Sequence, residues 1–162
     1  AGGMTISLPQ EDRSFRSRNE LFEDIVALLG GRVAEEQFLG DISTGASSDL
    51  ERATAIAHAM VAKYGMSDAL GAVVYDDGKG EVFIGRSMAQ TKPYSETIAA
   101  SIDQEVKALI DKAYAQCRTI LSDYAPQLET TAQYLLEHET MEREAFLAVF
   151  GEQPLSLKKE EV

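Results

Sequence analysis

Cysteine and histidine are scarce in this sequence, with one cysteine and two histidines among 162 residues. A single cysteine forms no internal disulfide, so Cys117, within an apolar helical pattern, is predicted to be a buried thiol in a reducing compartment. His58 and His138 stand in no ligand spacing, and no H-E-x-x-H occurs. We interpret both as structural, with titration or ligand binding as the alternative. The sequence alone therefore assembles no closed zinc site.

Basic residues are also few, since 15 lysines and arginines face 27 aspartates and glutamates and give a net charge of -12. This charge repels phosphate backbones and anionic membrane surfaces, and no cluster of basic residues offsets it. A glycine-rich loop carrying lysine is absent too, so no P-loop nucleotide site is predicted. We expect no nucleic acid partner and no direct membrane contact by this segment.

Long apolar runs are missing as well. No stretch of 18 apolar residues and no signal peptide is present, so no membrane-spanning helix is predicted. The hydrophobic share of 44% is enough for the core of one globular domain. The sequence begins Ala-Gly-Gly-Met, without an initiator methionine, and we expect it to be a piece of a longer protein.

Helical periodicity dominates what is present. Five helices are predicted, at about 19–33, 48–64, 95–124, 126–136 and 140–150. Asn19 and Ser95 are predicted to cap the first and third of them. Gly30 and Gly31 interrupt the first helix, which indicates either a close approach by another backbone or a break between two shorter helices. Residues 152–162 are predicted to be a disordered tail.

Strand signals are confined to two places. Alternation with a period of two predicts a strand over residues 3–8, followed by a polar loop to residue 18. An unpaired edge there would accept an extended peptide through backbone bonds, with an ordinary sheet edge as the alternative. The second signal is a hairpin of 72–75 and 81–84 around the D-D-G-K-G turn at 76–80.

Residues 30–54 form the joint around which the other elements are predicted to pack. Its loop of small residues, 43–48, allows a tight turn, and Ser47 or Ser48 is predicted to cap the next helix. Asp49 then falls in the first helical turn, where the helix dipole favours an ionised carboxylate. Asp49 is thus a candidate cation ligand or hydrogen-bond acceptor, with a plain capping acid as the alternative.

Several separated blocks in the sequence resemble one family. LLGGRVAEEQFLGDISTGASSDLERAT, MVAKYGMSDALG, GEVFIGRS and SIDQEVKALI occur in this order. Together they resemble the peptidase domain of the FtsH-type, membrane-anchored, ATP-dependent zinc metalloproteases, over about residues 1–150. The resemblance implies that 1–151 is the C-terminal portion of an M41-type peptidase domain, a mainly α helical bundle with a small amount of β. Strand and loop would occupy 1–18, and helices most of 19–151.

The same resemblance implies roles for single residues. The aspartate of the S-T-G-A-S-x-D-L block is the family's third protein ligand for zinc, and it matches Asp49. The first glutamate of the G-G-R-x-A-E-E block matches Glu35, which is expected to support the site and, as an alternative, to bind the metal. The strand residues expected to bind substrate along the rim of the site are Gly3, Met4, Thr5 and Ile6. The family's H-E-x-x-H, with two ligands and the catalytic glutamate, is expected upstream of Ala1, so no catalytic residue is assigned here.

The function implied for the intact protein is processive zinc-dependent proteolysis of unfolded and membrane proteins by a homo-hexamer. ATP would bind only to a separate ATPase domain. Membrane helices outside this sequence would anchor the protein, with this segment on the cytoplasmic, or organelle stromal or matrix, face. The segment alone is expected to be inactive. The alternative is a non-enzymatic acidic helical module for interaction or oligomerisation, and an H-E-x-x-H upstream in the parent gene would decide between the two.

Overall fold

Helices make up most of the chain that the computed structural model describes, residues 15–76 and 94–151. The α-helices are α1 (Arg18–Leu28), α2 (Gly30–Ala34), α3 (Ser47–His58), α4 (Glu96–Asp123), α5 (Ala125–His138) and α6 (Arg143–Val149). Two π-helical turns, Glu35–Leu39 and Ala59–Lys63, extend α2 and α3. The predicted mainly helical fold is confirmed. None of the helices in these two ranges has the length and apolar character needed to cross a bilayer.

Contacts divide the chain into two compact units, Ala1–Cys117 and Arg118–Val162. In the first unit α1 packs against α3. Helix α1 contributes large side chains, whereas α3 contributes alanines, and Ala53, Ala57 and Ile25 are fully buried. Because alanine projects only a methyl group, the α1 and α3 backbones can approach closely. The other buried apolar residues of these helices and the turns that extend them are Leu21, Phe22, Val26, Leu29, Val33, Met60, Val61 and Ala62.

A second apolar cluster lies where the end of α3 meets α4. Val61, Ala62 and Ile102 are its buried members. Half-buried side chains surround them: Leu70, Tyr75, Tyr94, Ile98, Val106 and Leu109. Ile98, Ile102, Val106 and Leu109 thus form an apolar stripe at helical spacing along α4, and it packs as expected of a bundle helix.

Cys117 lies on α4 with 4% of its surface exposed. Burial raises the pKa of its thiol to about 11, because the apolar surroundings disfavour the charged thiolate. The predicted buried thiol is confirmed.

The second unit contains α5 and α6, which pack together. The rings of Tyr124 and Phe150 lie 5.8 Å apart, and those of Phe146 and Phe150 lie 5.1 Å apart. His138, at the end of α5, stacks on Tyr134 at 4.3 Å, and its Nδ1 lies 3.1 Å from the Tyr134 carbonyl oxygen. These contacts support the structural interpretation of His138.

The cap predicted for α1 is wrong. Ser17, not Asn19, is the N-cap: its Oγ accepts from the Glu20 amide at 3.2 Å, and the Glu20 carboxylate accepts from the Ser17 amide at 2.6 Å. This reciprocal pair satisfies two amides at once, which Asn19 cannot match from inside the first turn. For α4 the prediction is confirmed, since Ser95 Oγ accepts from the Ile98 amide at 3.3 Å.

The structure also decides between the alternatives for the two glycines. Helix α1 ends at Leu28 and α2 begins at Gly30. A Cβ atom added to Gly30 or Gly31 would meet no other atom within 4 Å. No described backbone therefore passes close to these glycines, and they mark a break between two helices.

Residues 72–75 do not form the predicted strand in the described part of the chain. The Tyr75 and Asp76 amides both donate to the Ala62 carbonyl, at 2.8 and 3.0 Å, so this segment is bonded to the end of a helical turn. Gly65, at φ +61°, lies so close that an added Cβ would be 3.0 Å from Ala72 Cα. Residues 77–80 and the predicted partner strand 81–84 lie outside the described residues, as do the strand at 3–8 and the tail at 152–162.

We predict that Ser17→Ala lowers the free energy of unfolding by about 1 kcal/mol, because one amide of α1 loses its acceptor. Urea unfolding followed by circular dichroism measures the change. Asn19→Ala is the matched control and is expected to change stability by less than about 0.5 kcal/mol, as for an ordinary surface substitution. Equal losses for both variants would contradict the assignment of Ser17 as the cap.

Candidate functional site

The loop before α3 is a tight backbone turn. Gly40, at φ +69°, ends the π-helical turn Glu35–Leu39 in the left-handed conformation that glycine adopts without strain. At the other end the Ser47 amide donates to the Thr44 carbonyl at 3.1 Å, and the Leu50 amide donates to the Ala46 carbonyl at 3.0 Å. The 12-residue helix α3 then begins at Ser47.

The predicted serine cap of α3 is wrong, because α3 has Ala46 as its N-cap and no side-chain capping bond. Ala46 has φ -86° and ψ 9°, outside the extended region in which an N-cap side chain reaches back to the helix amides. Ser47 lies inside the first turn, and its amide is bonded by the backbone of the loop. The start of α3 is therefore set by the path of the loop.

Asp49 lies in the first turn of α3, as predicted, and is half-buried. Its side chain makes no hydrogen bond or ion pair with any residue in 15–76 or 94–151. The carboxylate is therefore not used to cap its own helix within this part of the chain. A carboxylate held at a helix N-terminus without a competing partner retains its oxygens for a cation.

Glu35 bonds Ser43 with both carboxylate oxygens. One oxygen accepts from the Ser43 amide at 2.9 Å, and the other accepts from the Ser43 hydroxyl at 2.6 Å. Ser43 Oγ in turn accepts from the Gly45 amide at 3.1 Å, and Arg32 Nη1 donates to the Ser43 carbonyl at 3.4 Å. We call this group, Glu35 with Ser43 and Gly45, the loop clamp.

The loop clamp also explains the charge state of Glu35. The Ser43 hydroxyl, and then the Ser43 amide, lower the pKa of the Glu35 carboxyl from its ordinary value of 4.5, with a smaller contribution from the positive charge of Arg32. These donors stabilise the carboxylate more than the neutral acid. Next to Glu35 on the same turn, Glu36 accepts a hydrogen bond from the Tyr114 hydroxyl of α4. The π-helical turn is thus bonded both to the loop and to α4.

The described residues do not form a metal site by themselves. In the ranges 15–76 and 94–151 no three histidine, cysteine, aspartate or glutamate side chains are grouped so that they could hold a metal ion. Asp49 is available as one ligand, whereas both oxygens of Glu35 are bonded to Ser43. This donor set fits a zinc ion only if the remaining ligands come from elsewhere in the protein. The predicted substrate residues Gly3, Met4, Thr5 and Ile6 lie outside the described residues.

Sequence reasoning missed the role of Ser43, which it treated only as a small loop residue. Ser43 lies eight residues after Glu35, across the end of one helix and a turn. No fixed spacing in sequence corresponds to such a contact, because its distance depends on the path of the loop. The signal that was present is limited to a hydroxyl residue in a loop that follows an acidic helix end.

Comparisons with known proteins place these features in one family. The sequence matches peptidase family M41 over residues 1–149. It is 48% identical over 150 residues to the ATP-dependent zinc metalloprotease FtsH 2 of Alkaliphilus metalliredigens, a match that covers 93% of this chain and 22% of the relative.

Two further relatives are also ATP-dependent zinc metalloproteases. Identity is 46% over 151 residues to the ATP-dependent zinc metalloprotease FtsH 1 of Thermoanaerobacter sp., covering 93% of this chain and 25% of the relative. It is 46% over 145 residues to the ATP-dependent zinc metalloprotease FtsH of Bacillus subtilis, covering 89% of this chain and 23% of the relative. The chain thus spans about a quarter of the length of the curated relatives it matches.

We predict that Ser43→Ala raises the pKa of the Glu35 carboxyl toward 4.5, without fully restoring that value, because the Ser43 amide still donates. Since the folded-state pKa is lowered, ionised Glu35 stabilises the fold above the ordinary pKa, and this contribution is lost as the pH falls through the lowered value. Carboxyl NMR titration measures the pKa. Ser47→Ala should leave it unchanged, and an equal shift in both variants would contradict the bond.

Proposed function

The chain belongs to peptidase family M41, and on that premise we propose that it is the helical, C-terminal part of the peptidase domain of an ATP-dependent zinc endopeptidase. The observation that carries the proposal is Asp49, whose carboxylate lies in the first turn of α3 with no hydrogen bond or ion pair to a described residue. The names of the relatives, ATP-dependent zinc metalloproteases, support the same conclusion.

In this proposal Asp49 is the third protein ligand of the zinc ion. Two neutral histidines of an H-E-x-x-H elsewhere in the protein supply the other ligands, and the glutamate of that motif supplies the base. When bound, zinc activates a water molecule and polarises the peptide carbonyl. Asp49 contributes the negative charge that two imidazoles lack, and the rigid start of α3 holds its carboxylate in one direction.

Other residues of the chain have supporting roles in the proposed site. Glu35 holds the loop before α3, and its bonds to Ser43 favour this supporting part over direct metal binding. Gly3, Met4, Thr5 and Ile6 are proposed to form a strand along which an extended substrate adds by backbone hydrogen bonds.

The proposal extends to the whole protein of which the chain would be about a quarter. Its substrates are unfolded and membrane proteins, and ATP binds to a separate ATPase domain. Six copies form the working ring. Membrane helices outside this chain anchor the protein, with the peptidase segment on the cytoplasmic, or organelle stromal or matrix, face.

The isolated chain is expected to be inactive toward casein, with or without added zinc, because it has no catalytic base and one zinc ligand of three. Release of fluorescent peptides from labelled casein measures activity. Cleavage by the pure chain that a chelator abolishes would contradict the division of the site between this chain and the rest of the protein.

In the full-length protein, Asp49→Asn is expected to reduce zinc content and abolish peptidase activity, because asparagine keeps the size but removes the charge. The fold should remain, since losing a carboxylate from a first helical turn costs about 0.3–1 kcal/mol. Metal content after dialysis, casein hydrolysis and thermal unfolding measure the three effects.

Glu51→Gln is the matched control, because it removes a negative charge from the exposed surface of the same helix. It should retain zinc and activity. Normal zinc content and activity in Asp49→Asn would contradict the assignment of Asp49 as a zinc ligand.

A further inference from the structure

We infer that Ser43 is a positioning residue of the zinc site: through its two hydrogen bonds to Glu35 it fixes the loop that leads into α3, and so sets the position of Asp49. The inference rests on the proposed function, in which Asp49 binds zinc. It assigns Ser43 a part in that function, and it makes Glu35 the acceptor that holds Ser43.

The bonds form a continuous path from one helix end to the next. Glu35 accepts from the Ser43 amide and hydroxyl, at 2.9 and 2.6 Å, and Ser43 Oγ accepts from the Gly45 amide at 3.1 Å. Ser47 is the first residue of α3, and its amide donates to the Thr44 carbonyl at 3.1 Å. Asp49 follows two residues later. A shift of Ser43 is therefore transmitted to the first turn of α3.

The loop has few other anchors. Residues 40–45 are exposed, and Ala46, 6% exposed, is the buried residue at their end. Apart from the loop clamp, residues 40–43 make only weak or local side-chain bonds to described residues. The Asp41 carboxylate accepts from the adjacent Ile42 amide, and the Ser43 carbonyl accepts from Arg32 Nη1 at the long distance of 3.4 Å. In the described part of the chain the large apolar side chain of this loop, Ile42, is 49% exposed, so the hydrogen bonds of the loop clamp contribute much of what holds the loop.

The space around Gly45 agrees with these hydrogen bonds. A Cβ atom added there would lie 3.2 Å from Ser43 Oγ and 3.6 Å from Glu35 Oε1. The backbone at Gly45 thus lies directly against both partners, with little space for a further group. Ser43 Oγ is thus bonded to Glu35 and lies against the Gly45 backbone, and both contacts favour one rotamer of the Ser43 side chain.

The chemistry of the pair requires a carboxylate. Ser43 presents two donors, and an ionised glutamate is an acceptor at both oxygens. Glutamine in place of Glu35 would direct an NH2 group at one of these donors and so lose a bond. The same substitution would also weaken a zinc bond if Glu35 were itself a ligand. If Glu35 holds the loop, Ser43 acts only through Glu35. Ser43→Ala should then weaken zinc binding in the wild-type protein and have no further effect in the Glu35→Gln variant.

The experiment uses the full-length protein and measures the zinc dissociation constant by competition with a chromophoric chelator. Ser43→Ala should weaken zinc binding roughly 10-fold, the lower end for residues that orient a metal ligand. Glu35→Gln should weaken it at least as much, and the double variant no more than Glu35→Gln alone. Ser43→Thr, which keeps the hydroxyl, should restore binding to near the wild-type value. Ser47→Ala, which loses no side-chain bond to a described residue, should bind like the wild type.

A second readout needs neither zinc nor activity. In the zinc-free full-length protein, amide hydrogen exchange of the peptide spanning 40–46 should be faster in Ser43→Ala and Glu35→Gln than in the wild type. Exchange in α1 and α4 should be unchanged, and Ser47→Ala should match the wild type throughout. Faster exchange across all helices would indicate general destabilisation and would overturn the positioning role.

Three outcomes for zinc binding overturn the inference. If Ser43→Ala binds zinc like the wild type while Asp49→Asn does not, the positioning role fails and the proposed function stands. If Ser43→Ala weakens binding by the same factor in both backgrounds, Ser43 does not act through Glu35. If the wild-type protein binds no zinc, or Asp49→Asn binds it normally, the proposed function fails and the inference fails with it.

Discussion

The close packing of α3 on α1 is the constraint on which the rest of the first unit depends. Ala53 and Ala57 are fully buried in α3, and Ile25 is fully buried in α1. Methyl groups on one side of the contact leave no room for a larger side chain without displacing the opposite helix, a change that commonly costs about 1–3 kcal/mol. The direction of α3 is therefore fixed by the core. The contact sets the axis of α3, whereas the first turn, where Asp49 lies, is joined directly to the loop that Glu35 and Ser43 hold.

The two acidic residues of the candidate site differ because their surroundings differ. Glu35 accepts both of its bonds from Ser43, and these donors lower the pKa of its carboxyl. Asp49 has no such partner among the described residues. A carboxylate with its oxygens already bonded is suited to holding a loop, whereas one without partners is suited to binding a cation. The difference between the two environments is what separates their proposed roles.

The proposed role of Asp49 as one ligand among three implies a site assembled from distant parts of a protein. The chain matches its family over residues 1–149 but spans about a quarter of its relatives. Helix α3 presents Asp49 from a rigid core, which is the arrangement that a metal site needs if its other ligands arrive on another helix. A non-enzymatic interaction module would need neither a carboxylate without a described partner at this position nor a loop held by two bonds from one serine.

The sequence by itself determined the helical class, the family, and the place of Asp49 in a first turn. Buried positions recur with the helical period in the sequence. Ser95 accepts from an amide three residues away, and Pro126, in the first turn of α5, has no amide hydrogen that would need a partner. The Ser17–Glu20 capping box is equally local and was readable, but Asn19 was chosen instead. Only the tertiary structure decided that Ser43 bonds Glu35 and that residues 75 and 76 bond Ala62. These contacts depend on the path of a turn, which is set by backbone angles such as the positive φ of Gly40 and Gly65, and no periodicity in the sequence predicts that path.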